Sequence, residues 1–271
     1  MGFSSIDAFV KALTNARKQE WRFSKDGQAA NETPEAAGNW VSYYLAPGSP
    51  GAATVPSNAS WTDFANGNGS MYFTDVSTAK RYLYAIEAAA TESGTLMIYD
   101  RLGHRNFDAN SLVSAGNKTT AATLAARMST ADAEDKHNVE AWIEVTEVTA
   151  TTTAVVSLNS YTNSDGTAAR AGGNLTFPAT ATNVGWFAPF PVQAGDKGVS
   201  AISTWNVGTV STTTGEANFV MLRPIAFVPV VANIVTLISV KDGLIPRRIY
   251  DDSSLCFAFY ANNTNVVDFW G

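Results

Sequence analysis

Residues 139–148, VEAWIEVTEV, decide the fold class. Val139, Ala141, Ile143, Val145 and Glu147 fall on one side of an extended chain, and the residues between them fall on the other. Successive side chains of a strand point to opposite faces, so this alternation predicts a half-buried β-strand. Two stretches of the same kind follow, TTTAVVSLNSYTNSDGTAARAGGNLTFPA at 151–179 and PFPVQAGDKGVSAISTWNV at 189–207. Asp165-Gly166, just after Asn163 and Ser164, predicts a hairpin, because tight turns need residues that tolerate positive φ. Gly195, Asp196 and Gly198 predict a second turn for the same reason. This best-organised part of the chain carries no evident reactive centre, which tilts the reading toward a structural or binding protein.

Ser4 to about Trp21 predicts the one convincing helix. Ser4 is placed to cap it, with Asp7 three residues on, and Ile6, Phe9, Val10 and Leu13 share one face at helical spacing. That stripe packs either on its own domain or on a neighbouring subunit. Residues 25–69 are rich in turns and hold the short aromatic strands NWVSYYL and SWTDF, so this segment is expected to lie extended over another surface. Further strands are predicted around 82–89 and 95–101 and from Leu124 to Arg127; Lys118–Ala126 reads as strand or helix, strand favoured, and strands recur from 219 to the C-terminus. Strands at such short spacing, broken by turn signals, suggest a sandwich, with a jelly roll favoured over a closed barrel. The expected fold is therefore mainly β: an antiparallel β-sandwich, jelly-roll-like, over 71–271, preceded by an N-terminal helix and extended arm over 1–70.

Composition narrows the function. Of 271 residues, 45% are hydrophobic and only 15% charged, against about 25% in ordinary soluble domains. A surface of small uncharged polar groups suits a β-protein packed against other copies. The net charge of −6 and the scatter of basic pairs argue against nucleic acid, which needs clustered Lys and Arg to neutralise phosphate. The apolar window PIAFVPVVANIVTLISV at 224–240 is too short for a bilayer helix of about 20 residues and is broken by Pro229 and Asn233. Buried strands or a subunit contact fit it better. The N-terminus lacks the basic-then-apolar pattern of a signal peptide, so a cytoplasm is the expected compartment and the six Asn-x-Ser/Thr triplets are expected to stay bare.

Chemistry-bearing residues are sparse. Cys256, the lone cysteine, sits in the apolar run LCFAFY and reads as a buried, inert thiol. His104 and His137 read as surface or turn histidines, with no Gly-x-Ser-x-Gly elbow to pair with. The acidic run Asp132–Asp135 lacks the glycine of a calcium loop and reads as a solvated face. Asp251-Asp252 would serve as a glycosidase pair only if both carboxylates shared a face, and a turn is the better reading. No catalytic, cofactor or metal residue is assigned. The exposed aromatics leave a carbohydrate-binding face open.

Several segments in order, SSIDAFVKAL, GNWVSYYLAPGSPGA, LMIYDRLGH, SYTNSDGTAARAG, PFPVQAGDKGVSAI, VMLRPIAFVPV and LIPRRIYDDSSLCFAF, resemble a group of virion structural proteins of tailed bacteriophages. The similarity runs through most of the chain, and no part of it is catalytic. It implies a capsid decoration (cement) protein on the exterior of a head assembled in bacterial cytoplasm. Its partners would be the major capsid protein and copies of itself, as a homotrimer, without nucleic acid or membrane. Ile6, Phe9, Leu13, Trp21, Trp40 and Tyr43 are the expected subunit contacts. The alternatives are a tail- or fibre-associated protein that binds host-surface glycan and, further off, an enzyme acting on host polysaccharide.

Overall fold

The computed structural model describes residues 20–27, 38–73, 75, 80–107, 112, 114–129, 131–147, 154–177, 184–210, 215–262 and 267–271. Ten strands carry the architecture: β1 (Trp40–Ser42), β2 (Gly94–Phe107), β3 (Gly116–Thr123), β4 (Glu140–Glu147), β5 (Val155–Asn163), β6 (Asn174–Thr176), β7 (Trp186–Pro189), β8 (Val199–Thr209), β9 (Glu216–Val230) and β10 (Ser254–Ala261). The remaining short strands are named by their residues.

The predicted strands form, except that Leu124–Arg127 runs into a single 3-10 turn at Ala126–Met128, and the pairings of the ten strands among the described residues are antiparallel. The central sheet differs from the expected sandwich. Its strands run β2-β9-β4-β7-β1-β10, and β10 pairs back onto β2, so six staves close into a barrel. Closure through Phe257↔Ile98 and Ala258↔Met97 leaves the ring without a free edge. A barrel of six strands is too narrow for a lumen, and side chains fill it. Met97, Tyr99, Trp142, Phe187, Val220, Leu222, Cys256 and Ala258 form that inner core, with Tyr44 and Phe64 packed at one end.

Both outer flanks of the barrel are also covered. On one side Ala141, Ile143 and Val145 of β4 and Phe219 and Met221 of β9 pack against Val156, Leu158, Ile202, Trp205 and Val207 of a four-stranded sheet, β6-β5-β8-β3. This stack is the part of the expected sandwich that survives. On the other side Ile98, Val228, Phe257 and Phe259 pack against Ile86, Ala88 and Phe269 of a five-stranded sheet and against Phe23 beside it. That sheet runs Thr236–Ser239, Ala85–Ala90, Phe269–Trp270, Ser24–Lys25, Gly48–Ser49. The β4 alternation was therefore correct in period. Its second face is not solvated, however: Trp142 and Glu144 point into the barrel.

The boundary expected at residue 70 falls inside this architecture. β1 is a barrel stave, and Ser24–Lys25 pairs with Phe269–Trp270 at the opposite end of the chain. The predicted N-terminal helix, with Ile6, Phe9 and Leu13, lies outside the described residues.

Candidate functional site

One group of ionisable side chains on the barrel strands, Arg101, His104 and Glu144, turns inward. At one end of its interior the Arg101 guanidinium forks onto Glu144, Nη2 to Oε2 at 2.8 Å and Nη1 to Oε1 at 3.3 Å. Arg101 Nε donates to His104 Nδ1 at 2.9 Å, and Asn218 donates to Glu144 at 2.8 Å. The Tyr44 ring closes the site, 3.9 Å from the guanidinium carbon. Burial alone would raise the Glu144 carboxyl; the Arg101 charge and the hydrogen bonds outweigh it and hold the group below its usual value. Burial, helped by the Arg101 charge, pushes His104 down to about 2. His104 is thus a neutral, buried acceptor on β2, not the surface or turn histidine the sequence suggested.

A second network lies on the outer wall. Asp100 accepts from Arg127 at 2.9 Å, from Ser253 Oγ at 2.8 Å and from the Ser254 amide at 3.0 Å. Arg223 donates to Asp135 at 2.8 Å, and Tyr250 donates to the other oxygen of Asp135 at 2.6 Å. Asp135 belongs to a short helix, α1 (Ala133–His137), and is buried, which corrects the reading of Asp132–Asp135 as a solvated face at that one residue, while Glu134 is exposed. The sequence hid it because the helix is a single turn.

A third cluster joins the two turn motifs. Asp196, from the QAGDKGV turn, accepts from the Tyr161 hydroxyl, from Arg170 Nε and Nη2 at 3.0 Å each, and from Asn163 at 2.9 Å. The hydrogen bonds from Arg170 and then Tyr161 hold its carboxyl at about 2. Asn163 in turn fixes the predicted Asp165-Gly166 hairpin by accepting from the Thr167 amide at 2.8 Å. Cys256 is buried as expected, its thiol pushed up to about 12 by burial. Asp251 and Asp252 do form a turn, Asp252 with φ 63°. No group of three or more His, Cys, Asp or Glu placed to hold a metal occurs among the described residues.

The surface carries an apolar strip. Between Phe227 and Ile245 six large apolar side chains stand exposed: Phe227 (51%), Val231 (52%), Ile234 (56%), Val235 (58%), Leu237 (59%) and Ile245 (63%). An open depression of about 400 Å³ beside them is lined by Glu140, Phe227, Ile238, Leu244, Ile245 and Arg247, among others. The strand Thr236–Ser239 is the outer edge of the five-stranded sheet. Val231, Ile234, Val235 and Leu237 lie in the second half of the apolar window at 224–240; in its first half Ile225, Ala226, Val228 and Val230 of β9 are buried and Phe227 is exposed.

No family model, curated protein or solved structure matches this chain. The surface must therefore be read from its own chemistry. Of the expected contact residues, Tyr43 is 1% exposed and donates its hydroxyl to the Val267 carbonyl, so its ring belongs to the chain's own core. Trp40 is half-buried at the end of the barrel away from Arg101, 5.4 Å from Tyr260 and 6.0 Å from Phe227. Trp21 is 37% exposed, its ring 5.2 Å from Phe73 and 6.3 Å from Tyr72. The structure does not bring Trp21, Trp40 and Tyr43 together on one face.

Proposed function

We propose that the chain is a non-enzymatic structural protein of a tailed-phage virion, a decoration protein on the capsid exterior that clamps neighbouring capsomers. The observation that carries this reading is the exposed, mostly uncharged strip from Phe227 to Ile245, mounted on a barrel whose wall is buried on both faces. A clamp must present apolar area without deforming, and contiguous exposed apolar surface marks interaction sites. The pairing of the buried charges with one another supports the same reading, since Arg101 with Glu144, Arg127 with Asp100 and Arg223 with Asp135 spend their charge inside the scaffold. The resemblance described above supplies the particle.

The test is electron microscopy of particles assembled with and without the chain, and with a chain lacking residues 1–19. Removing that amphipathic stripe should abolish head incorporation while the chain stays folded. The cut must stop at 19, because Phe23 packs 4.6 Å from Phe257 and Ser24–Lys25 is a strand of the fold. Normal head occupancy of the truncated chain rules out the arm model.

A second reading, a tail or fibre protein binding glycan, draws on one observation. Phe227, beside Glu140 and Asn138 at the open depression, offers an aromatic face with polar groups nearby, a combination suited to a sugar ring. Labelling of the tail, or glycan binding lost in Phe227→Ala, would favour it.

A further inference from the structure

We propose that the edge strand Thr236–Ser239 pairs antiparallel with the same strand of a second copy of this chain, across a twofold axis at Leu237, burying Val231, Ile234, Val235 and Leu237 of both. The inference rests on the functional reading in treating this surface as a protein contact; it adds the partner and the geometry.

Four observations carry it. The edge is unblunted: residues 231–239, VANIVTLIS, contain no charge and no proline, the usual devices that keep an exposed strand from pairing. The edge is also built rather than frayed. The Ala232 amide donates to Ser93 Oγ at 3.0 Å and the Asn233 amide to the Ala90 carbonyl at 2.8 Å. At the other end Ser239 and Asp242 cap each other. The side chains between these anchors are therefore held exposed in a fixed arrangement, which reduces the ordering cost of association.

The backbone presents the right groups. Thr236–Ser239 pairs inward with Ala85–Ala90 in the register Thr236↔Ala88, Ile238↔Ile86, and the Val240 amide bonds the Tyr84 carbonyl at 3.0 Å. In an antiparallel ladder alternate residues face alternate neighbours, so Leu237 turns its amide and carbonyl outward. Ser239 spends its own amide on Asp242 and its carbonyl on Leu244, which limits the open edge to the residues around Leu237. An edge centred on one residue is self-complementary under a twofold axis, the commonest symmetry of homo-oligomers.

Area and charge favour a second copy over a foreign partner. The four side chains at these exposures present roughly 400 Å² of apolar surface per copy, within the range for the largest patch on a monomer and about half of the ~800 Å² that one partner gives to a stable interface. The whole chain carries −6, so two copies repel unless they meet where charge is absent, and the 231–239 strip is such a place.

The experiment uses the full-length chain. Sedimentation equilibrium should show a concentration-dependent dimer, and Leu237→Lys, which sets two ammonium groups against each other at the axis, should weaken it about a hundredfold or more with unchanged circular dichroism. Leu237→Cys should form an interchain disulfide on mild oxidation, since directly paired strand residues lie about 5.5 Å apart at Cα, within disulfide reach. Val55→Cys, exposed elsewhere, is the control for random collision. A wild-type chain that stays monomeric, a Leu237→Lys chain that dimerises as before, or equal cross-linking of the two cysteine variants overturns the proposal. A monomer that still decorates particles removes this inference and leaves the virion reading; a dimer absent from particles does the reverse.

Discussion

Glu144 points into the barrel, where an apolar side chain is the usual occupant, and its burial is tolerated because Arg101 reaches it with two hydrogen bonds. Such a pair does not imply extra stability over an apolar one, but removing one partner strands the other's charge in the core. Glu144→Ala should therefore cost about 3–5 kcal/mol, read from urea unfolding at neutral pH. His104 makes a different prediction. Its folded value, about 2, lies below its unfolded value near 6.5, so below about pH 6.5 the unfolded chain binds a proton that the folded chain refuses. The stability attached to His104 is complete above pH 6.5 and falls as the pH drops toward 2, by up to about 1.4 kcal/mol per pH unit. His104→Asn keeps an acceptor for Arg101 without this titration. Unfolding midpoints measured from pH 4 to 8 should show the variant losing stability less steeply than the wild type below pH 6. Parallel profiles would mean that the imidazole titrates in the fold.

The Asp196 clasp shows what a short element contributes. The β5 hairpin and the 193–198 turn are each legible alone, because Asn163, Gly166 and Gly195 answer local backbone demands, with φ 87° at Gly166 and 92° at Gly195. That they meet is not legible. Nothing local in Arg170 or Tyr161 says that a carboxylate from a later turn will sit between them. Asp196→Asn should leave both turns in place and loosen their junction. Hydrogen exchange should speed up at the Tyr161, Arg170 and Gly172 amides, which bond Arg170, Tyr161 and Leu158 carbonyls, while Ile98 and Phe257 in the barrel keep their protection. Uniform acceleration would show that the clasp holds the whole fold instead. Because Arg170 and Tyr161 keep the Asp196 carboxyl at about 2, its contribution is present above the unfolded value near 3.9 and is lost only as the pH falls through 2. The same limit explains β4. Its period of two was plain, yet Glu144 at 144 and Asp135 at 135 read as solvent-facing because a single sequence does not say that a second layer covers the polar face.

At the scale of the molecule, barrel closure was the least legible feature. β1 pairs with β10 through Trp40↔Tyr260, β2 pairs with β10 through Gly94↔Ala261, and Phe269–Trp270 at the C-terminus pairs with Ser24–Lys25. Alternation reports that a strand has a buried face, not which distant strand it meets. The consequence is a single cooperative body. Each barrel stave lends one face to the inner core and the other to an outer core, as β9 does with Val220 inside and Phe219 and Val228 outside, so no core persists when the ring opens. Thermal or urea unfolding followed by tryptophan fluorescence and by far-ultraviolet circular dichroism should give coincident transitions. The two signals sample different places: Trp142 and Trp205 report the inner and one outer core, and the amide signal reports every sheet. Because the closing pairs join opposite ends of the chain, loop-closure entropy comes before any contact can offset it, and refolding should take milliseconds to seconds or longer. Loss of the fluorescence signal at lower urea than the amide signal would mean that an outer sheet outlives the barrel, which this arrangement of shared staves forbids.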